Sequence, residues 1–221
     1  LATAYVQIDT LFIRHLLGIE ETAYYQAALR IIVGINMLAT FLSNAFYPRV
    51  ARSFKDGIAT AQLDNSRKMI RSLTVVGLVI SIGLFLAAKP LLHLIYGAKM
   101  DPSVSVLRVA AFIPLVRFIS GGYGIVLISI HRQEVQVIGA AIAMVLIAAL
   151  DWFLVPWAGL VAAAWVNLLV NIAVLAIFLF VVFKELHTAL MRFSLAEVYS
   201  DALACWAAGA RAVGRIFGSR R

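Results

Sequence analysis

The apolar run from Ala23 to Tyr47 carries one strong charge, Arg30, and ends at Tyr47-Pro48 in a basic segment. About 20 apolar residues carry a helix across the hydrocarbon of a bilayer, and this run is long enough. An arginine inside such a span costs free energy unless it faces protein or a water-filled cavity. Segments rich in lysine and arginine beside a span stay in the cytoplasm. The segment that follows holds Arg49, Arg52, Lys55, Arg67, Lys68 and Arg71. One stretch therefore sets the solvent of the fold, its orientation and a first functional residue.

Five further apolar runs accompany it, at 4–17, 70–88, 104–130, 135–155 and 157–183. The chain is 63% hydrophobic and 14% charged, where soluble domains are nearer half apolar and a quarter charged. A membrane barrel needs alternating strands of about ten residues, and the runs do not alternate. Helices alone satisfy the backbone of such runs in lipid. The predicted fold class is all-α: a polytopic bundle of six transmembrane helices over 1–184, followed by a cytoplasmic amphipathic tail at 185–221. Ser194 to Glu197 has the form of a capping box. An apolar stripe from Leu195 to Phe217 with charges between predicts a helix lying on the membrane surface.

Charge sorts the connections. Arg132, Lys184 and Arg192 join the basic segment on one side, and Arg14, Lys89 and Lys99 with Glu20, Glu21, Asp101 and Asp151 are read on the other. The basic side is cytoplasmic, so the net charge of +8 reads as an orientation signal and not as a nucleic-acid surface. One cysteine, Cys205, excludes an internal disulfide, and the four histidines lack metal-ligand spacing. The chain opens on Leu1 inside an apolar run, with no signal-peptide pattern, and reads as a fragment lacking an N-terminal part. No phosphate-binding glycine loop ending in lysine is present. Neither a catalytic residue, a metal nor a cofactor is expected.

Three sets of polar residues lie inside the runs. Arg117 sits near the centre of 104–130, between Pro114 and Gly121-Gly122, where a proline and glycines permit a kink. Asp9 and Arg30 flank the turn at Gly18 to Thr22 at similar depth and are expected to form a buried ion pair, one that is structural or opens in transport. Asn167 and Asn171, four apart, share a helix face, and Asn44 shares the face of Arg30. Amides of this kind are commonly interhelical glue. They are also candidates for substrate binding together with the two arginines.

Several stretches together resemble the Wzx-type oligosaccharide flippases. They are Asp9 with Leu17-Gly18 and Ala23 to Arg30, Ala45 to Arg52, Leu94 to Gly97 with its acidic loop, and Val155 to Ala164. The resemblance covers about 1–184. It implies one half, the C-terminal one, of a two-lobed exporter of the multidrug/oligosaccharidyl-lipid/polysaccharide superfamily. The implied activity is flipping of an undecaprenyl-pyrophosphate-linked glycan across a bacterial inner membrane. The implied partners are that lipid-linked oligosaccharide, membrane lipids and the missing N-terminal six-helix half. Arg30 and Arg117 would be the cationic cavity residues. Two rivals remain: a multidrug cation antiporter of the same superfamily, which would want an acidic cavity, and a membrane glycosyltransferase or polymer ligase, which would want a large outer loop.

Overall fold

A computed structural model describes residues 9, 10, 12–55 and 59–186 of the chain. The predicted surface helix at 194–217 lies outside the described residues. After a helical segment that includes 12–16, the elements are α1 (Ile19–Lys55), α2 (Ala59–Tyr96), a 3-10 turn (Ala98–Met100), α3 (Pro102–Ala110), α4 (Ile113–Ser129) and α5 (Glu134–Leu186). Four stretches are long and apolar enough to cross a bilayer: Ile19–Phe54, Gln62–Tyr96, Pro102–Ser129 and Glu134–Glu185. The chain is a multi-pass membrane protein.

The last of these is two arms. Gly159 adopts φ 66° and ψ −156°, a left-handed conformation that side chains other than glycine rarely tolerate. A Cβ on Gly139 would lie 3.2 Å from Phe178 and 3.4 Å from Val174. Ala143, Ile147, Val166 and Val170 share one buried cluster. Residues equidistant from Gly159 thus meet, so 134–158 and 160–186 run antiparallel. The turn falls at Gly159 and not at Pro156, which is carried within the helix.

Prolines bound the elements less than expected. Pro48 and Pro90 lie inside α1 and α2, so α1 continues through the expected stop at Tyr47-Pro48 and α2 begins well before Ile70. With 37 and 38 residues, each is about 55 Å long at 1.5 Å per residue. A bilayer with its headgroups is about 40–45 Å thick, so both helices project beyond it at the basic end. At the other end Trp152, Phe153, Trp157 and Trp165 are exposed, all within about 11 Å of Gly159 by the same rise. Such aromatic belts mark a membrane–water boundary.

α4 is the centre of the bundle. It packs against α1, α2 and α5, and 67% of the α3–α4 span is buried against 22% to 39% of the others. Its glycines make this possible by close approach, and the helix through Gly121-Gly122 is regular. The break lies earlier, at Ala111-Phe112, because Pro114 offers no N–H to the preceding turn. The Leu115 N–H donates instead to Ser81 Oγ on α2, 3.1 Å away.

The glycine contacts make a prediction. A Cβ at Gly77 of α2 would sit 2.9 Å from the Cβ of Phe118 and 3.2 Å from the Cα of Leu115, atoms that cannot rotate away. One at Gly121 would meet Ser43 Oγ at 2.5 Å, which can turn aside. Gly77→Ala is expected to destabilise by about 1–3 kcal/mol, the usual cost of overpacking. Gly121→Ala should cost clearly less. Thermal midpoints of the two purified variants check the order, and equal midpoints would refute the close approach of α2 to α4.

Two polar contacts tie the ends. Arg132 donates to Glu185 at 2.7 Å and to Glu134 at 3.5 Å, joining the loop after α4 to the end of α5. At the outer turn His93 and Asp101 meet at 2.6 Å. That hydrogen bond draws the Asp101 carboxyl below its ordinary pKa.

Candidate functional site

Two turns set the depth of one polar cluster. Asp9 is nine residues before Gly18 and Tyr25 seven after it; Asp151 and Asn167 each lie eight residues from Gly159. At 1.5 Å per residue all four lie about 10–14 Å below the outer turns. The fold brings them together: the Tyr25 hydroxyl donates to Asp9 Oδ2 at 2.9 Å, and Asn167 Nδ2 donates to the same oxygen at 2.7 Å. Asn171, one turn deeper, donates to the Asn167 carbonyl at 2.8 Å and to its Oδ1 at 2.9 Å. Gln26 donates to Thr10 beside them.

Asp151 completes the cluster. It is fully buried, as is Asp9, and lies close enough for their charges to interact. Asp9 Oδ1 and both Asp151 oxygens have no hydrogen-bond partner among the described residues. Unpaired buried carboxylates are costly. Two in one site leave three unpartnered carboxylate oxygens among the described residues, a set of acceptors that suits a proton or a small cation.

This arrangement corrects two expectations. Asp9 does not pair with Arg30: Arg30 is exposed, and Asp9 is held by Tyr25 and Asn167. The reason is helical phase, since Arg30 follows Tyr25 by five residues, about 140° around the helix at 3.6 residues per turn. Asp151 is not an outer-loop charge but lies inside the first arm of α5. Its place within the apolar run 135–155 is the signal that marks it. Tyr25 has no such signal in the sequence.

The other candidates occupy a second surface. Arg30, Met37, Thr40, Phe41, Asn44 and Pro48 form an exposed stripe along α1. The exposed residues at bilayer depth on α2, such as Val79, Ile82 and Leu86, and on α5, such as Ile138, Val145 and Leu169, are apolar. Lipid suits the faces of α2 and α5. An arginine and an amide at this depth require protein or water. Gly121 sits against Ser43, and α4 and α1 run in the same direction. Arg117, one turn earlier on that face of α4, is therefore level with Ala39, and Arg30 is about 14 Å nearer the outer end. Arg117 is partly exposed. Arg30, Asn44 and Arg117 thus belong to the stripe and its flank, whereas Asn167 and Asn171 belong to the carboxylate cluster.

Comparison with known proteins bears on the fold. A family described as "Polysaccharide biosynthesis protein" matches residues 1–105. Comparison with curated protein sequences gives no match. Two solved structures superpose over 91% of the chain at 18% identity. One is a multidrug resistance MATE family transporter of the MOP superfamily in an outward-facing conformation, with a TM-score of 0.74. The other, with a TM-score of 0.70, is a MOP superfamily transporter from Pyrococcus furiosus whose binding pocket is described as of reverse polarity. This chain therefore shares its fold with part of each of these two proteins.

The chain spans 46% and 47% of those two proteins, about half their length. The carboxylate cluster is enclosed between the segment before Gly18, α1 and both arms of α5.

Proposed function

We propose that the chain is one half of a transporter that flips a lipid-linked oligosaccharide across a bacterial inner membrane, with the second six-helix half facing the stripe of α1. The observation that carries this reading is the contrast between faces: Arg30, Thr40 and Asn44 are exposed along α1, whereas the exposed mid-membrane residues of α2 and α5, such as Val79, Ile82, Val145 and Leu169, are apolar. A hydrated cationic path lowers the barrier to moving sugar and phosphate through hydrocarbon, and alternating access closes it behind the cargo. The polysaccharide biosynthesis match over 1–105 supports the same substrate class. Asp9 and Asp151 serve a different purpose in this reading. They are fully buried, so they bind the coupling ion, a proton or an alkali cation, and not the cargo.

The carboxylates also favour a second reading, multidrug cation antiport. Against it, they lie away from the exposed stripe, where a bulky organic cation would have to bind.

Reconstituted full-length transporter separates the two. Flipping of a fluorescent lipid-diphosphate glycan, with no efflux of organic cations, is the expected result. Efflux of organic cations without flipping would refute the proposal.

A further inference from the structure

The hairpin of α1 and α2 at the basic end carries charges that the transport path does not use. Beyond Pro48, α1 exposes Arg49 and Arg52; where α2 returns, Lys68 is exposed and Arg67 and Arg71 are half-buried. Asp64 is the acid among the described residues of this hairpin. Counting about 30 residues, or 45 Å, from either outer turn places the five cations at the cytoplasmic headgroup layer or just beyond it. Val50, Met69 and Ile70 fall in one buried cluster, so the two basic segments are packed side by side as one surface. Arg67 Nε is buried with no hydrogen-bond partner among the described residues.

We infer that this surface binds the phosphates of anionic phospholipids in the cytoplasmic leaflet. Charge and depth select that occupant. The chain's own segment 187–221 carries five arginines against two acids and would be repelled. A second copy would set the same cations against each other. A headgroup phosphate lies at the required depth, and arginine binds phosphate through its planar fork. Clusters of four to eight cations beside a span attract anionic lipid in this way. This inference goes beyond the transport reading and does not depend on it.

Native mass spectrometry of the full-length transporter, released from nanodiscs of mixed phosphatidylglycerol and phosphatidylcholine, tests it. The wild type should retain phosphatidylglycerol selectively, and less so in high salt. In Arg52→Gln/Arg67→Gln/Lys68→Gln the enrichment should fall by about fivefold for each charge removed. In Lys89→Gln/Lys99→Gln/Arg108→Gln, which removes three charges toward the outer end, it should not change. If the first triple variant fails to fold, Lys68→Glu, at an exposed position, should lower the enrichment alone. Wild-type enrichment in the basic-end variants, an equal loss in the outer-end variant, or capture of a lipid diphosphate with phosphatidylglycerol no better than phosphatidylcholine would each overturn the inference.

Discussion

On the proposed reading, asparagine at position 151 is expected to lower the ion affinity of the full-length protein by about tenfold or more while leaving its folded yield intact. Asp151 accepts no hydrogen bond among the described residues, so its loss breaks none of the hydrogen bonds that join them. It removes one of two buried negative charges that repel each other unless a proton or cation lies between them. An interaction with a charged group is worth about 1.5–3 kcal/mol, so the affinity for the ion should drop by about tenfold or more. Asp9→Asn should weaken the ion site similarly but also lower stability, because Asp9 Oδ2 accepts from both Tyr25 and Asn167. Ligand that binds only the folded state raises its stability by mass action. Thermal midpoints measured across sodium concentration and pH therefore report the site directly. The wild type should respond to one of the two, and Asp151→Asn should need about tenfold more of the ion for the same response. A wild-type response in both asparagine variants would remove the cluster from ion coupling.

The helical membrane fold was legible because long apolar runs admit one solution in lipid, and among the described residues the runs are helical apart from their ends, the break at Ala111-Phe112 and the kink at Gly159. Ends were less legible. Pro48, Pro90 and Pro156 look like stops, yet each is carried within a helix, because bundle packing sustains the helix on either side of the proline. The true turn at the far end is fixed by Gly159, whose φ is positive. The site divided along the same line. Asn167 and Asn171 were readable as a pair from spacing alone, since four residues bring two side chains to one helix face. Their partner, Asp9, is distant in sequence, and only the fold shows that Tyr25 and not Arg30 turns toward it. Depth alone sets Asp9 beside Arg30; rotational phase about the helix decides partners, and it turns Arg30 about 140° away from Tyr25. Asp151 shows the converse: an acid within an apolar run is a stronger signal than a count of loop charges.

Arg117 should matter more to transport than to folding. It follows the break at Ala111-Phe112, where Pro114 withholds an N–H and Ser81 Oγ holds Leu115. The segment that carries it can therefore be re-aimed by a small change at one hydrogen bond. It sits level with Ala39, on the flank of the polar stripe that includes Thr40 and Asn44. Its guanidinium can engage two phosphate oxygens at once, whereas lysine supplies a point charge. Arg117→Ala is expected to abolish glycan export in the full-length protein at near wild-type membrane yield, and Arg117→Lys to reduce it by about tenfold to a hundredfold, one charged hydrogen bond's worth. Arg30 provides the internal comparison. Since Asp9 is satisfied by Tyr25 and Asn167, Arg30→Ala leaves no carboxylate stranded, so it should weaken export without cutting yield. The measurement is complementation of glycan export beside quantified membrane protein. Normal export by Arg117→Ala at matched yield would take Arg117 out of the path. A fall in yield with Arg30→Ala that Asp9→Ala restores would reinstate the ion pair that the helical phase argues against.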